Sequence, residues 1–138
     1  MKPLDRRKSR YLAIQIIYIH ELLKEDLKDV EKKMIEFNNY PDFIKSYAKG
    51  IIEKYRDNHY MVDREIRNHL EGWRWEQVGY VERAILKVSV TEMLFIEEIS
   101  PIIALNEAVE LAKGLSTYAA GSFVNGVIGT IYEEKIKN

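Results

Sequence analysis

The 138-residue chain has no cysteine, which excludes a disulfide framework, a thiol nucleophile and a thiolate metal site, and fits an ordinary reducing cytoplasm. Three prolines and seven glycines leave little material for turns. No stretch alternates with strand period over a useful length. No apolar run approaches the roughly 18 residues of a membrane span. The first residues are charged rather than apolar, so they do not read as a secretory signal. A net charge of −1 excludes a generic polyanion binder.

Catalytic constellations are equally scarce. His20, His59 and His69 are far apart, and Glu65 with His69 supplies only half of a metal site. The run Gly121-Ser122-Phe123-Val124-Asn125-Gly126 lacks the Gly-Lys-Ser/Thr of a phosphate loop. No Ser, His and acid set is readable, and Asn106 and Asn125 read as caps or inter-helix hydrogen bonds. Nothing calls for a cofactor or a metal.

What is present is helical periodicity in a chain with 46% hydrophobic residues and mean hydropathy −0.32, as expected of a globular protein. The spacing predicts an all-α bundle of five to seven helices forming one domain over residues 1–138. Its two helical halves are expected at about 1–71 and 75–138, with Gly72 as a helix stop. The first helix is expected from an N-cap at Asp5 to about Lys24, with Leu12, Ala13, Ile16, Ile17 and Leu23 on its core face. Arg7, Tyr11, Ile14 and Tyr18 fall opposite. Two readings of that stripe stand: a contact surface, or a second face covered by a later helix.

A short helix follows around Asp29–Asn38. Phe43 to Leu70 reads as one bent helix or two, with the break at Arg56-Asp57-Asn58. Val78 to Ile96 is apolar on every side, which marks a central helix. Ser100-Pro101 reads as a cap and first turn, Gly114 to Gly121 as a loop, and Ser122 to Lys135 as the last helix. Phe123, Val124, Val127, Ile128, Ile131 and Tyr132 make its core stripe.

Charge is concentrated at the start, where Lys2, Arg6, Arg7, Lys8 and Arg10 stand against Asp5 alone. Arg6 and Arg10 lie one turn apart with Arg7 alongside, so their guanidinium groups are expected to fan out at one helix end. Guanidinium forks match phosphate oxygens and stack on unpaired bases, and nearby tyrosines offer further stacking platforms. Cations at a helix N-terminus cost about 0.3–1 kcal/mol each, which argues against an accidental cluster. Lys113, closing a helix beside Gly114, is either a second phosphate contact or a charge complementing the helix dipole. Glu82, in the first turn of the central helix, suits that helix dipole.

Four blocks carry a resemblance: Arg6-Arg7-Lys8-Ser9-Arg10, Val81-Glu82-Arg83-Ala84-Ile85-Leu86, Ile103 through Lys113, and Ser122-Phe123-Val124-Asn125-Gly126-Val127-Ile128. In this order and spacing they resemble the NusB family nearly end to end. The resemblance implies an all-helical, non-enzymatic factor of transcription antitermination, working with RNA polymerase in ribosomal RNA synthesis. It implies binding of single-stranded boxA RNA jointly with the ribosomal protein NusE. Lys2, Arg6, Arg7, Lys8, Arg10 and Lys113 would then contact RNA, and Tyr11, Tyr18 and Glu82 would meet the protein partner or a second copy in a homodimer. Relatives carry an acid and a lysine where this chain has Ala119-Ala120-Gly121-Ser122, which removes one basic contact and admits a protein-only scaffold. NusB-like modules also front ribosomal RNA cytosine methyltransferases. The chain ends at Asn138 without a nucleotide-binding fold, so a free-standing adaptor is expected.

Overall fold

Pro3 opens the first helix, where its fixed φ suits the first turn and its missing N–H costs nothing. In the computed structural model, which describes residues 1–137, α1 spans Pro3–Leu23. The cap is Lys2, whose carbonyl accepts from the N–H groups of Asp5 and Arg6. Asp5, expected to cap, instead lies inside the first turn, where its carboxylate faces the positive end of the helix dipole. Leu12, Ala13, Ile16 and Ile17 are buried as expected, but Leu23 is exposed next to the left-handed Lys24 that ends the helix. Ile14 is buried too, because α1 is covered on more than one side. It packs against α2 (Leu27–Phe37), α3 (Asp42–Asn68) and α4 (Tyr80–Phe95). The contact-surface reading of the stripe therefore survives only for Arg7, Tyr11 and the half-buried Tyr18.

Asp26 caps α2 by accepting from the Asp29 N–H at 3.2 Å. One helix, α3, fills the stretch that read as one or two, with a kink at Asn58 (φ −127°, ψ 16°). The Asn58 side chain bonds back to the Lys54 carbonyl at 2.9 Å there. Gly72 does not stop the helix, which ends at Asn68. It makes the next turn, closed by the Trp73 N–H on the Leu70 carbonyl at 2.8 Å, in which its φ of +77° takes the place glycine favours.

The central helix α4 is buried continuously from Ala84 to Met93 and touches α1, α3, α5 and α6. Helix α5 (Pro101–Leu115) begins at the expected proline, although Ser100 contributes its carbonyl rather than its side chain to the cap. The loop expected over 114–121 is only Ser116-Thr117. Thr117 Oγ1 accepts the Ala120 N–H at 3.0 Å and starts α6 (Tyr118–Tyr132) four residues earlier than the apolar pattern suggests. Val124, Val127, Ile128 and Ile131 are buried. Phe123 is only half-buried, edge-on to Trp73 with ring centroids 5.3 Å apart. Asn106 and Asn125 are exposed, and neither side chain makes a hydrogen bond among the described residues.

A last turn, Glu133–Lys137, latches onto α3. His69 meets the Glu65 carbonyl at 2.7 Å through Nδ1 and Glu134 at 2.8 Å through Nε2, while Lys135 reaches Glu65 at 3.3 Å. Burial pushes the His69 imidazole down, but the Glu65 carbonyl and the Glu134 carboxylate together outweigh it and hold it above its ordinary value. The hydrogen bond from His69 lowers Glu134 in turn. A raised histidine contributes stability fully below the free imidazole value of about 6.5 and loses it as pH climbs through the raised one. The lowered carboxyl contributes above its free value of about 4.3 and loses it as pH falls through the lowered one. The stability difference between the wild type and His69→Gln should therefore be largest between about pH 5 and 6 and shrink as the pH rises above the ordinary imidazole range, as measured by urea unfolding. A difference constant across that range would show that the latch does not depend on the imidazolium.

Candidate nucleic-acid interface

The basic segment splits in two when it folds. Ser9 and Arg10 face inward, with Ser9 Oγ donating to the Ile44 carbonyl at 2.8 Å and tying α1 to the start of α3. Arg10 is only 2% exposed. Its Nε donates to both oxygens of Glu92 at 2.7 and 3.0 Å, and its Nη1 to Glu107 at 3.2 Å. Arg10 is therefore no surface contact, and the expected fan of three arginines is corrected. Glu92, itself 1% exposed on α4, also accepts from the Tyr47 hydroxyl. Burial, with the adjacent Glu92 carboxylate, pushes that hydroxyl well up, so it stays a donor. Burial disfavours the Arg10 charge, but the Glu92 hydrogen bond together with the charges of Glu92 and Glu107 outweighs it, and the guanidinium is held more firmly protonated than usual.

Arg6 points the same way. Its guanidinium lies 5.1 Å from the Tyr47 ring centre, and it reaches towards the Glu98 carbonyl at 3.5 Å. On the outer side, Arg7 grips Glu107 with two hydrogen bonds, Nε to Oε1 at 3.2 Å and Nη2 to Oε2 at 2.5 Å, and remains 48% exposed. The hydrogen bond to Glu107 raises its pKa over the opposing effect of burial. Lys2 and Lys8 are exposed, and neither has an ion-pair partner among the described residues. Arg7, Lys8, Leu4 and Tyr11 line one wall of a groove of about 350 Å³, and Glu110 and Leu115 of α5 line the other.

In the last turn of α5, Lys113 lies 3.7 Å from Glu110 and 5.5 Å from the ring centre of Tyr118. Its stem crosses α6 at Gly121, where a Cβ would stand 2.8 Å from Lys113 Cγ, so any larger residue would force the stem to shift. Tyr118 is 79% exposed and was not singled out from the sequence, where it reads as part of a loop. Further along, Glu82 accepts from Ser116 Oγ at 2.7 Å and folds over Gly79, pinning the start of α4 to the α5–α6 junction. Trp73, Phe123, Ala120 and Glu82 line an apolar recess beside it. Tyr18 packs partly against the core, and Tyr11 stands at the groove.

The structure therefore leaves Lys2, Arg7, Lys8 and Tyr11 exposed on α1, and lays Lys113 of α5 against α6. It withdraws Arg10 and half-withdraws Arg6. A sign of the withdrawal was available in the sequence: an acid on a helix with apolar residues on every side, as Glu92 is, demands a buried cation. Among the described residues, no group of histidines and acids is placed to hold a metal. None of the described helices is long and apolar enough to cross a membrane.

The sequence pattern of the NusB family matches residues 7–133. The transcription antitermination protein NusB of a Nitratiruptor species is 37% identical over 137 residues, covering 96% of this chain and 94% of that protein. Its counterpart from Chloroherpeton thalassium is 30% identical over 136 residues, covering 95% of this chain, which spans 63% of that relative's length. Among solved structures, a crystal structure of antitermination factors NusB and NusE in complex with dsRNA matches with a TM-score of 0.84 at 28% identity. The match covers 96% of this chain and 99% of that one.

Removing one member of a buried pair leaves an uncompensated charge. Arg10→Met should thus lower folding stability by about 3–5 kcal/mol, while Arg10→Met combined with Glu92→Leu should recover much of the loss. Urea denaturation of the three proteins checks this. Equal destabilisation in the single and double variants would show that the orphaned charge is not the cause.

Proposed function

The chain belongs to the NusB family, and from that membership we propose that it is an antitermination adaptor that binds RNA jointly with a NusE-type protein. The observation that carries the reading is the likeness, over nearly the whole chain, to a NusB captured with NusE and RNA. The local chemistry supports it. Lys2 and Lys8 offer unpaired ammonium groups, Arg7 offers a half-exposed guanidinium, and Lys113 adds a partly exposed ammonium where α5 meets α6. Such groups neutralise phosphates without reading bases, so they serve a single strand of boxA type or a duplex alike. Arg6 contributes at the edge, and Arg10 acts from inside by holding α1 in place.

The protein partner is assigned to the surface around Tyr11, Tyr18 and Glu82, with a homodimer as the competing occupant. The chain acts as an adaptor in a complex on RNA polymerase rather than as a catalyst, in keeping with relatives named for antitermination. A protein-only scaffold is the second reading, favoured by the internal pairing of Arg7 and Arg10.

Replacing Lys2, Arg7 and Lys8 with alanine should weaken binding to a boxA-type RNA oligonucleotide. It should also flatten the slope of log affinity against log salt by about 0.7 per lost phosphate contact on a single strand. Thermal stability should move little, because both lysines are exposed and the Arg7–Glu107 pair is half open to solvent. An unchanged slope would favour the scaffold.

Few phosphate contacts imply weak binding by the chain alone, and a partner adding contacts along the same strand must couple to it reciprocally. Calorimetry should therefore find that NusE raises the RNA affinity and that RNA raises the NusE affinity by the same factor. Equal RNA affinity with and without NusE would defeat the adaptor mechanism.

A further inference from the structure

A chain of side chains leads from the centre of the bundle to the candidate RNA edge, and each step is more exposed than the last. Glu92 is 1% exposed at its side chain, Arg10 3%, Glu107 13% and Arg7 48%. The inner two are locked by Tyr47 and by paired hydrogen bonds. Glu107 is the joint. Its Oε1 accepts from both Arg10 Nη1 and Arg7 Nε, each at 3.2 Å, and its Oε2 accepts from Arg7 Nη2. A guanidinium carries five N–H donors in a rigid fork, and Glu107 occupies one edge of it. The remaining edge of Arg7, Nη1 included, makes no hydrogen bond among the described residues, and Arg7 and Lys8 both line the α1–α5 groove.

We propose that Glu107 is a positioning residue for RNA binding, holding Arg7 by one edge so that the other edge is presented to a backbone phosphate. The proposal rests on the RNA-binding reading above and adds a residue that touches no RNA itself. Its physical basis is entropic. A free arginine surrenders several rotatable bonds when it grips a phosphate, whereas one already fixed through Glu107, Arg10 and Glu92 surrenders few. The two carboxylates offset the two guanidinium charges, so the cluster is nearly neutral. Long-range attraction of RNA falls to Lys2 and Lys8, and Arg7 supplies direction.

The opposite role is physically distinct. A carboxylate that merely competed with phosphate for Arg7 would weaken RNA binding, and its removal would strengthen it. A double-mutant cycle separates the two. Arg7→Ala, Glu107→Ala and their combination are titrated with a fluorescent boxA-type RNA oligonucleotide in the presence of NusE, with folding of each variant checked by circular dichroism. Arg7→Ala should weaken binding about tenfold, or about 1.4 kcal/mol. Glu107→Ala should cause most of the same loss alone and little further loss in the Arg7→Ala background. Glu107→Gln, which keeps one acceptor, should fall between and guards against failure of the alanine variant to fold.

Tighter binding by Glu107→Ala would overturn the proposal in favour of competition. An equal loss in both backgrounds would overturn it in favour of a general structural effect. No loss on Arg7→Ala, with the wild type still binding, would instead overturn the assignment of Arg7 as a contact.

Discussion

Glu92 lies on a helix with no face turned to water, so its negative charge must be answered inside the protein, and the arrangement of the first helix follows from that requirement. Arg10 answers it with hydrogen bonds to both oxygens, and the Tyr47 hydroxyl adds another. To deliver that guanidinium, α1 must cross α4 at one height and one rotation. A slip of one residue along α1 would turn the arginine by about 100° and leave the buried carboxylate without a cation. Ser9 beside it, bonded to the Ile44 carbonyl, fixes the start of α3 against the same turn. The ion pair thus acts chiefly on register, and burial of Leu12, Ile16, Ile17, Ile85 and Leu86 supplies the attraction.

The other end of α4 repeats the device. Lys87 is buried against Glu21 and stands 3.6 Å from Asp63, while Arg83 lies between the rings of Trp75 and Tyr80, 4.7 and 4.8 Å from their centres. Arg83 also donates to the carbonyls of Trp75 and Val78, which holds the connection between α3 and α4 against the bundle. Charged contacts near each end of the central helix position α1 and α3 around it. They leave its apolar surface free to meet α5 and α6.

Periodicity made the helices legible, and its limits explain the errors. The identity of α4 as the centre was plain because apolar residues cover all its sides, and Pro101 marked the start of α5 by local geometry alone. Thr117 was missed because the residues after it, Tyr118 to Gly121, carry no apolar stripe, while a single cap hydrogen bond is enough to make them helical. Gly72 was misplaced because a positive φ suits a helix end and a tight turn alike. The direction of Arg10 could not be read from its own neighbourhood, since a partner 82 positions away decides it. The site is therefore legible in composition, and beyond the hint that Glu92 gives, which of its cations reach water is not.

The crossing of Lys113 over Gly121 has an electrostatic meaning. The lysine stem occupies the volume in which any other residue would place its Cβ, and the ammonium it carries comes to rest over the ring of Tyr118. A side chain at 121 would displace the stem and carry the charge away from the ring. Where positive potential appears on this face is thus governed from a neighbouring helix, by a residue that has no charge and no side chain of its own.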